Sequence, residues 1–156
     1  MDRSAPHPAG QARSPGRIVD SDAGIAALLE GVHRVAVLGI KPSWSGQPAY
    51  YVPEYAQRAG LEVIPVPVYY PEMTSVLGRP VYRRLADIPG PIDLVNVFRR
   101  SEDVPPHVDD MLAASPRAVW MQSGIRSDAA ATRLLAAGID VVQDRCLLQE
   151  LQRLGR

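Results

Sequence analysis

A single cysteine, Cys146, occurs in the 156 residues, which excludes an internal disulfide and suits a reducing compartment. Lysine is as scarce. Lys41 stands alone, and nearly all positive charge is arginine. Neither sign of charge is in excess, with 17 basic and 17 acidic side chains, so neither nucleic acid nor membrane is an expected partner. No apolar stretch approaches the ~18 residues of a membrane span, and the first residues hold no secretory apolar core. The expected location is cytoplasmic. Histidine is sparse and scattered at His7, His33 and His107, which read as solvated and form no metal set. Three motifs are missing too. There is no Walker loop, no G-x-S-x-G elbow and no G-x-G-x-x-G fingerprint.

What is present centres on Arg34 to Ala59. A four-residue apolar run, Val35 to Leu38, suits a parallel strand buried on both faces. Gly39 ends it where a side chain would block a ligand. A loop follows to Gln47, and Pro48 fits the first turn of a helix. The free N–H groups of such a helix start favour phosphate. Lys41, Ser43 and Ser45 lie in the same loop. A plain β–α turn would read the same way.

Residues 1–17 are rich in Pro, Gly, Ser, Ala and Arg and read as a disordered tail, with one domain over 18–156. A short helix carries Ile25, Leu28 and Leu29, capped by Ser21 or Asp22 and ended by Gly31. Strands are expected at 61–66, 93–98, 118–121 and 140–142. Helices are expected at 48–59, 104–114, 127–137 and 146–154. A turn at Gly78–Arg79 and a short edge strand at Val81–Tyr82 fill the space between. The repeat of about 25–30 residues implies βαβ crossovers. The expected fold is α/β, a Rossmann-like three-layer sandwich with a mostly parallel sheet of five to six strands. Ligands then bind beyond the carboxyl ends of the strands, at 39–43, 66–68, 97–101 and 122–125.

Strand two ends in Val66-Pro67-Val68, without the acidic residue that reads a dinucleotide ribose. Glu102/Asp103 and Asp109/Asp110 are sequence neighbours, which do not face each other on a helix and suit capping better than acid–base work. Arg99 or Arg100 could reach an anion at the rim, or pair with Glu102 or Asp103 at the surface. Trp44 could shield a ligand or pack on the domain, and Trp120 reads as core. Cys146 reads as a small buried hydrophobe rather than a reactive thiol.

Taken together, Val35-Ala36-Val37-Leu38-Gly39, Gly60 to Val66, Asp93 to Arg99, Val119 to Ile125 and Val141 to Cys146 resemble a family of small bacterial coenzyme A-binding proteins. That family has one Rossmann-like domain related to the CoA-binding domain of the succinyl-CoA synthetase α subunit. V-F-R, W-M-Q-x-G and D-R-C at this spacing carry the resemblance. It implies a noncatalytic module for CoA or an acyl-CoA, acting as carrier, sensor or regulator. By the same analogy Gly39, Ile40, Lys41, Pro42 and Ser43 hold the pyrophosphate. Pro67 and Val68 flank the adenosine. Val97, Phe98 and Arg99 line the next part of the cleft, with Gln122 and Gly124 beyond. Gln47-Pro48 stands where the family often has Arg-Pro, Ile40 where it has a small residue, and Val66-Pro67 where it has Asn-Pro or Ser-Pro. An NAD(P)-binding redox protein, or an interaction protein with a degenerate nucleotide cleft, are the alternatives. A homo-oligomer stays open.

Overall fold

The computed structural model describes residues 14–156. In chain order the elements begin with α1 (Asp22–Glu30), β1 (Arg34–Leu38), α2 (Pro48–Arg58), β2 (Glu62–Val66), β3 (Ser75–Val76) and β4 (Arg79–Pro80). Then come β5 (Leu94–Val97), α3 (Val108–Ala114), β6 (Ala118–Met121), α4 (Asp128–Ala136), β7 (Asp140–Val142) and α5 (Leu147–Arg153). Five strands form one parallel sheet in the order β2-β1-β5-β6-β7. The order reverses beside β1, so the crevice of the switch point opens between β1 and β5.

Both faces are covered, as the largely apolar, buried strands require. Val35 and Val37 face Ile25 and Leu29 of α1, Val52 and Ala56 of α2, and Leu147 and Leu151 of α5. Ala36 and Leu38 face the other layer, with Val108 and Met111 of α3 and Ala130 and Leu134 of α4. Ser21 caps α1 by accepting from the Gly24 N–H at 3.0 Å, and Ser127 caps α4 through the Ala130 N–H at 3.2 Å. Pro65 is tolerated because β2 is the edge of the sheet. Among the described residues, no helix is long and apolar enough to cross a membrane.

The structure shifts two sequence boundaries. Residues 1–13 of the expected tail lie outside the described residues, but its end is attached. Arg17 N–H donates to Asp140 Oδ1 at 2.9 Å, and Ile18 forms a parallel bridge with Val141 on the open edge of β7. The expected edge strand at Val81–Tyr82 is instead the antiparallel hairpin β3–β4, turning at Leu77–Gly78. Leu77 adopts φ 55° there, a left-handed conformation that its sequence does not advertise.

Candidate functional site

Gly39 leaves β1 with φ 88°, and a Cβ on it would come within 2.2 Å of the Phe98 carbonyl oxygen. The neighbouring strand end therefore requires the glycine, whereas the sequence reading gave that role to a ligand. Gly39 N–H donates to Val66 O and Phe98 N–H to Leu38 O, both at 2.8 Å, so the three strand ends meet at this point.

The following loop is tied to α2 by an unusual route. Pro53 lies inside the helix and has no N–H for the Ala49 carbonyl one turn back. The Lys41 N–H takes that carbonyl instead, at 3.2 Å. The Lys41 ammonium then donates to Gln47 Oε1 at 2.9 Å. Gln47 thus holds the lone lysine in place. The expected free N–H groups at the helix start are largely spent. Pro48 has none, and those of Tyr50 and Tyr51 donate to Gln47 O at 2.8 and 3.1 Å. Positive charge here comes from side chains more than from the helix end.

A cleft of about 250 Å³ opens over the switch point. Of the expected site residues it is lined by Gly39, Ile40, Lys41, Val68, Phe98 and Arg99. Ile40 is at the same time 1% exposed, its bulk packed into the core beneath. Arg100, expected at the rim, also lines it, whereas sequence reasoning missed Tyr69, Tyr70 and Asp103 on the same walls. Arg99 is held from three sides. Its Nε donates to His107 Nε2 at 3.2 Å, its guanidinium carbon lies 5.3 Å from the centre of the Tyr69 ring, and Asp103 is 3.9 Å away. Arg100 is the surface arginine of the pair, bonded to Asp103 at 3.0 Å and Glu102 at 3.5 Å.

The other expected residues lie elsewhere. Pro42 and Ser43 line a separate groove against the β3–β4 hairpin. Pro67 is buried, and Val97 is fully buried because strand alternation turns it into the α3–α4 layer. Gln122 is buried beneath the rim, where Oε1 accepts from Asn96 Nδ2 at 3.2 Å and from the Leu147 N–H at 3.3 Å. The Leu147 N–H needs an acceptor, so the Gln122 oxygen must face it. Asn96 then presents its NH₂, and its Oδ1 is left buried without a partner. Gly124, at φ 82°, donates its N–H to Asp144 Oδ1 at 2.6 Å. Cys146 is half-buried: it packs against the core beside α1, α2 and α5, as a small hydrophobe would, and also lines a polar cavity with Ser123, Arg126 and Asp144. Among the described residues, no three His, Cys, Asp or Glu side chains are placed to share a metal ion.

The profile of the CoA binding domain matches residues 33–152. The chain belongs to the CoA-binding domain family. An uncharacterized Bacillus subtilis protein, YneT, is 35% identical over 127 residues, spanning 81% of this chain and 91% of the relative. A Thermus thermophilus structure, cell-free ID.343, superposes with TM-score 0.79 at 37% identity, covering 86% of this chain and 99% of that one. A hypothetical protein from Pyrococcus horikoshii OT3 superposes with TM-score 0.80 at 28% identity, over 88% and 94% of the two chains.

This CoA-binding domain has a cleft whose charges fit its family's ligand. Lys41, Arg99 and Arg100 line the cleft with Asp103, and Glu102 pairs with Arg100 at its edge, which still leaves a positive excess for phosphate oxygens. His107 is the group behind that excess. Burial first, and then the Arg99 charge, hold its pKa below the ordinary 6.5, against the opposing pull of Asp110 and Asp103. The unfolded chain therefore takes up the proton more readily than the folded one. Stability is full while both states are neutral and declines as pH falls through 6.5. Urea unfolding between pH 8 and 5 should show this loss. His107→Gln keeps an acceptor for Arg99 and should flatten the profile, and an unchanged profile would place the titrating group elsewhere.

Proposed function

We propose that this domain binds coenzyme A, free or acylated, in the cleft between β1 and β5, and serves as a noncatalytic carrier, sensor or regulatory module. The observation that carries the reading is the convergence of Lys41, Arg99 and Arg100 on one cleft at the switch point of a CoA-binding fold. Lys41, Arg99 and Arg100 hold the phosphates. Phe98 and Val68 give apolar surface to the adenosine and the pantetheine arm. The ribose of CoA carries a 3′-phosphate, which agrees with a strand two that ends in Val66-Pro67 rather than in a carboxylate. The noncatalytic part is supported by how the groups near the cleft are used. His107 gives its acceptor nitrogen to Arg99, and Asp103 is shared between two arginines.

Calorimetric titration with CoA, with NAD and ADP as comparators, tests the reading. CoA should bind at micromolar concentration or tighter. Lys41→Ala should weaken it about tenfold, the worth of one charge-assisted hydrogen bond. NAD binding in place of CoA would overturn the proposal.

A further inference from the structure

Arg99 carries a charge that the protein leaves largely uncompensated. Its side chain is 14% exposed, and the carboxylate beside it, Asp103, stands 3.9 Å away and is bonded more closely to Arg100, at 3.0 Å. The nearer partner of Arg99 is neutral. Its Nε–H donates to His107 Nε2 at 3.2 Å. Only an unprotonated nitrogen accepts, so the proton of this imidazole sits on Nδ1. A carboxylate at position 107 would hold the arginine as well but cancel its charge. A neutral imidazole holds it and leaves the charge for an anion. A guanidinium so far out of water is costly until that anion arrives.

Resting on the CoA reading above, we infer that His107 is a positioning residue that presents Arg99 to the phosphates, and that ligand binding draws a proton onto it. A closed ring of contacts fixes the pair. His107 caps α3, and Asp110 in the first turn of that helix accepts from the Leu85 and Ala86 N–H groups at 2.7 and 3.0 Å. Arg83, two residues before, donates to the carbonyls of Tyr69, Tyr70 and Met73 at 3.1, 2.8 and 2.8 Å. The Tyr69 ring then returns to the Arg99 guanidinium. The start of α3 thus holds Arg99 from both sides before any ligand arrives.

Phosphate changes the balance of charge around the imidazole. The charges that reach His107 are Arg99 after β5, Asp103 in the turn that follows, and Asp110 on α3. Asp109, also on α3, is paired with Arg133 of α4 at 2.6 Å. In the free protein, burial and Arg99 keep the imidazole neutral against the pull of Asp103 and Asp110. A phosphate on Arg99 offsets the arginine's charge and favours the imidazolium. Once protonated, Nε2 no longer accepts, and the Arg99 Nε–H is released to the phosphate. By linkage, affinity rises as pH falls through the interval between the lowered pKa of the free protein and the higher one of the complex. Acid therefore loosens the fold and tightens the ligand, two opposite responses of one side chain.

Calorimetry with CoA in buffers of different ionisation heat reads the proton directly. The 3′-phosphate of CoA titrates in the same range, so the parent chain is compared with His107→Gln, which shares that background. The parent should take up more protons on binding. Between pH 8 and 5 its affinity should gain about fivefold more than that of the variant. At pH 8 His107→Ala should bind CoA about tenfold more weakly than the parent, and glutamine, which still accepts from Arg99, should restore most of that loss. If CoA binds and the parent and His107→Gln take up the same number of protons, the inference falls while the CoA reading stands. Inorganic pyrophosphate, with the His107 ring followed by NMR titration, separates the opposite case. If it raises the titration midpoint of His107 while CoA does not bind, the proton linkage stands and the CoA reading falls. If CoA does not bind and pyrophosphate leaves the midpoint unmoved, both fall.

Discussion

Gly39→Ala is expected to unfold roughly 10 °C below the parent chain and to lose ligand binding with its fold. Two effects add. An alanine at φ 88° carries the left-handed penalty of about 1–2 kcal/mol. Its Cβ would also lie 2.2 Å from the Phe98 carbonyl oxygen. That oxygen is main chain and cannot rotate away, so the end of β5 must move. The same movement pulls on the Phe98–Leu38 and Gly39–Val66 hydrogen bonds. Together the loss is about 3 kcal/mol, which at this chain length moves the midpoint by roughly 6–12 °C. Gly46→Ala is the internal control. Gly46 is also left-handed, at φ 65°, but a Cβ there meets nothing within 4 Å. Its loss should stay near 1 kcal/mol. Equal thermal shifts in the two variants would show that backbone conformation, and not the close approach of β5, sets the requirement.

Trp120→Ala should cost about 3–5 kcal/mol in urea unfolding, the range for removing a large buried aromatic. Trp120 is fully buried at the centre of β6, packed with Val37, Leu94, Val142 and Leu147 on the face covered by α1, α2 and α5. Its Nε1–H donates to the Arg145 carbonyl at 2.7 Å. Arg145 in turn reaches Glu150 at 3.2 Å, and Glu150 also accepts from Arg153 at 3.0 Å. The tryptophan therefore fills the core and fixes the turn into α5. Trp120→Phe separates the roles. It keeps most of the volume, gives up the donor, and should lose about 1–2 kcal/mol. A Phe variant as unstable as the Ala variant would make the hydrogen bond, rather than the packing, the larger contribution.

The sheet was legible because its strands are buried on both sides. Val35–Leu38 and Ala118–Met121 are unbroken apolar runs that allow little else. The β3–β4 hairpin was not, since two-residue strands have no periodicity and its turn puts Leu77, not a glycine alone, in the left-handed region. The site divided the same way. Gly39 and Lys41 follow from the strand–loop–helix pattern, because local chain geometry places them. Tyr69, Tyr70 and the His107–Arg99 contact did not follow. They depend on how loops from different strands lean together, and His107 reads as a polar helix start until Arg99 is beside it. One signal could have been read. Pro53 inside a helix leaves a carbonyl that something must occupy, and the nearest loop in sequence is the one holding Lys41.

The strand order also carries a consequence in time. β1 lies between Glu62–Val66 on one side and Leu94–Val97 on the other. As the chain leaves the ribosome, β1 and β2 can pair early, but one flank of β1 stays open until β5 has emerged. The crevice between β1 and β5 is thus the late-made seam of the molecule, where the second half of the polypeptide docks onto the first. Arg99 and Tyr69 come from opposite halves and touch across that seam, so their contact records that the docking is complete.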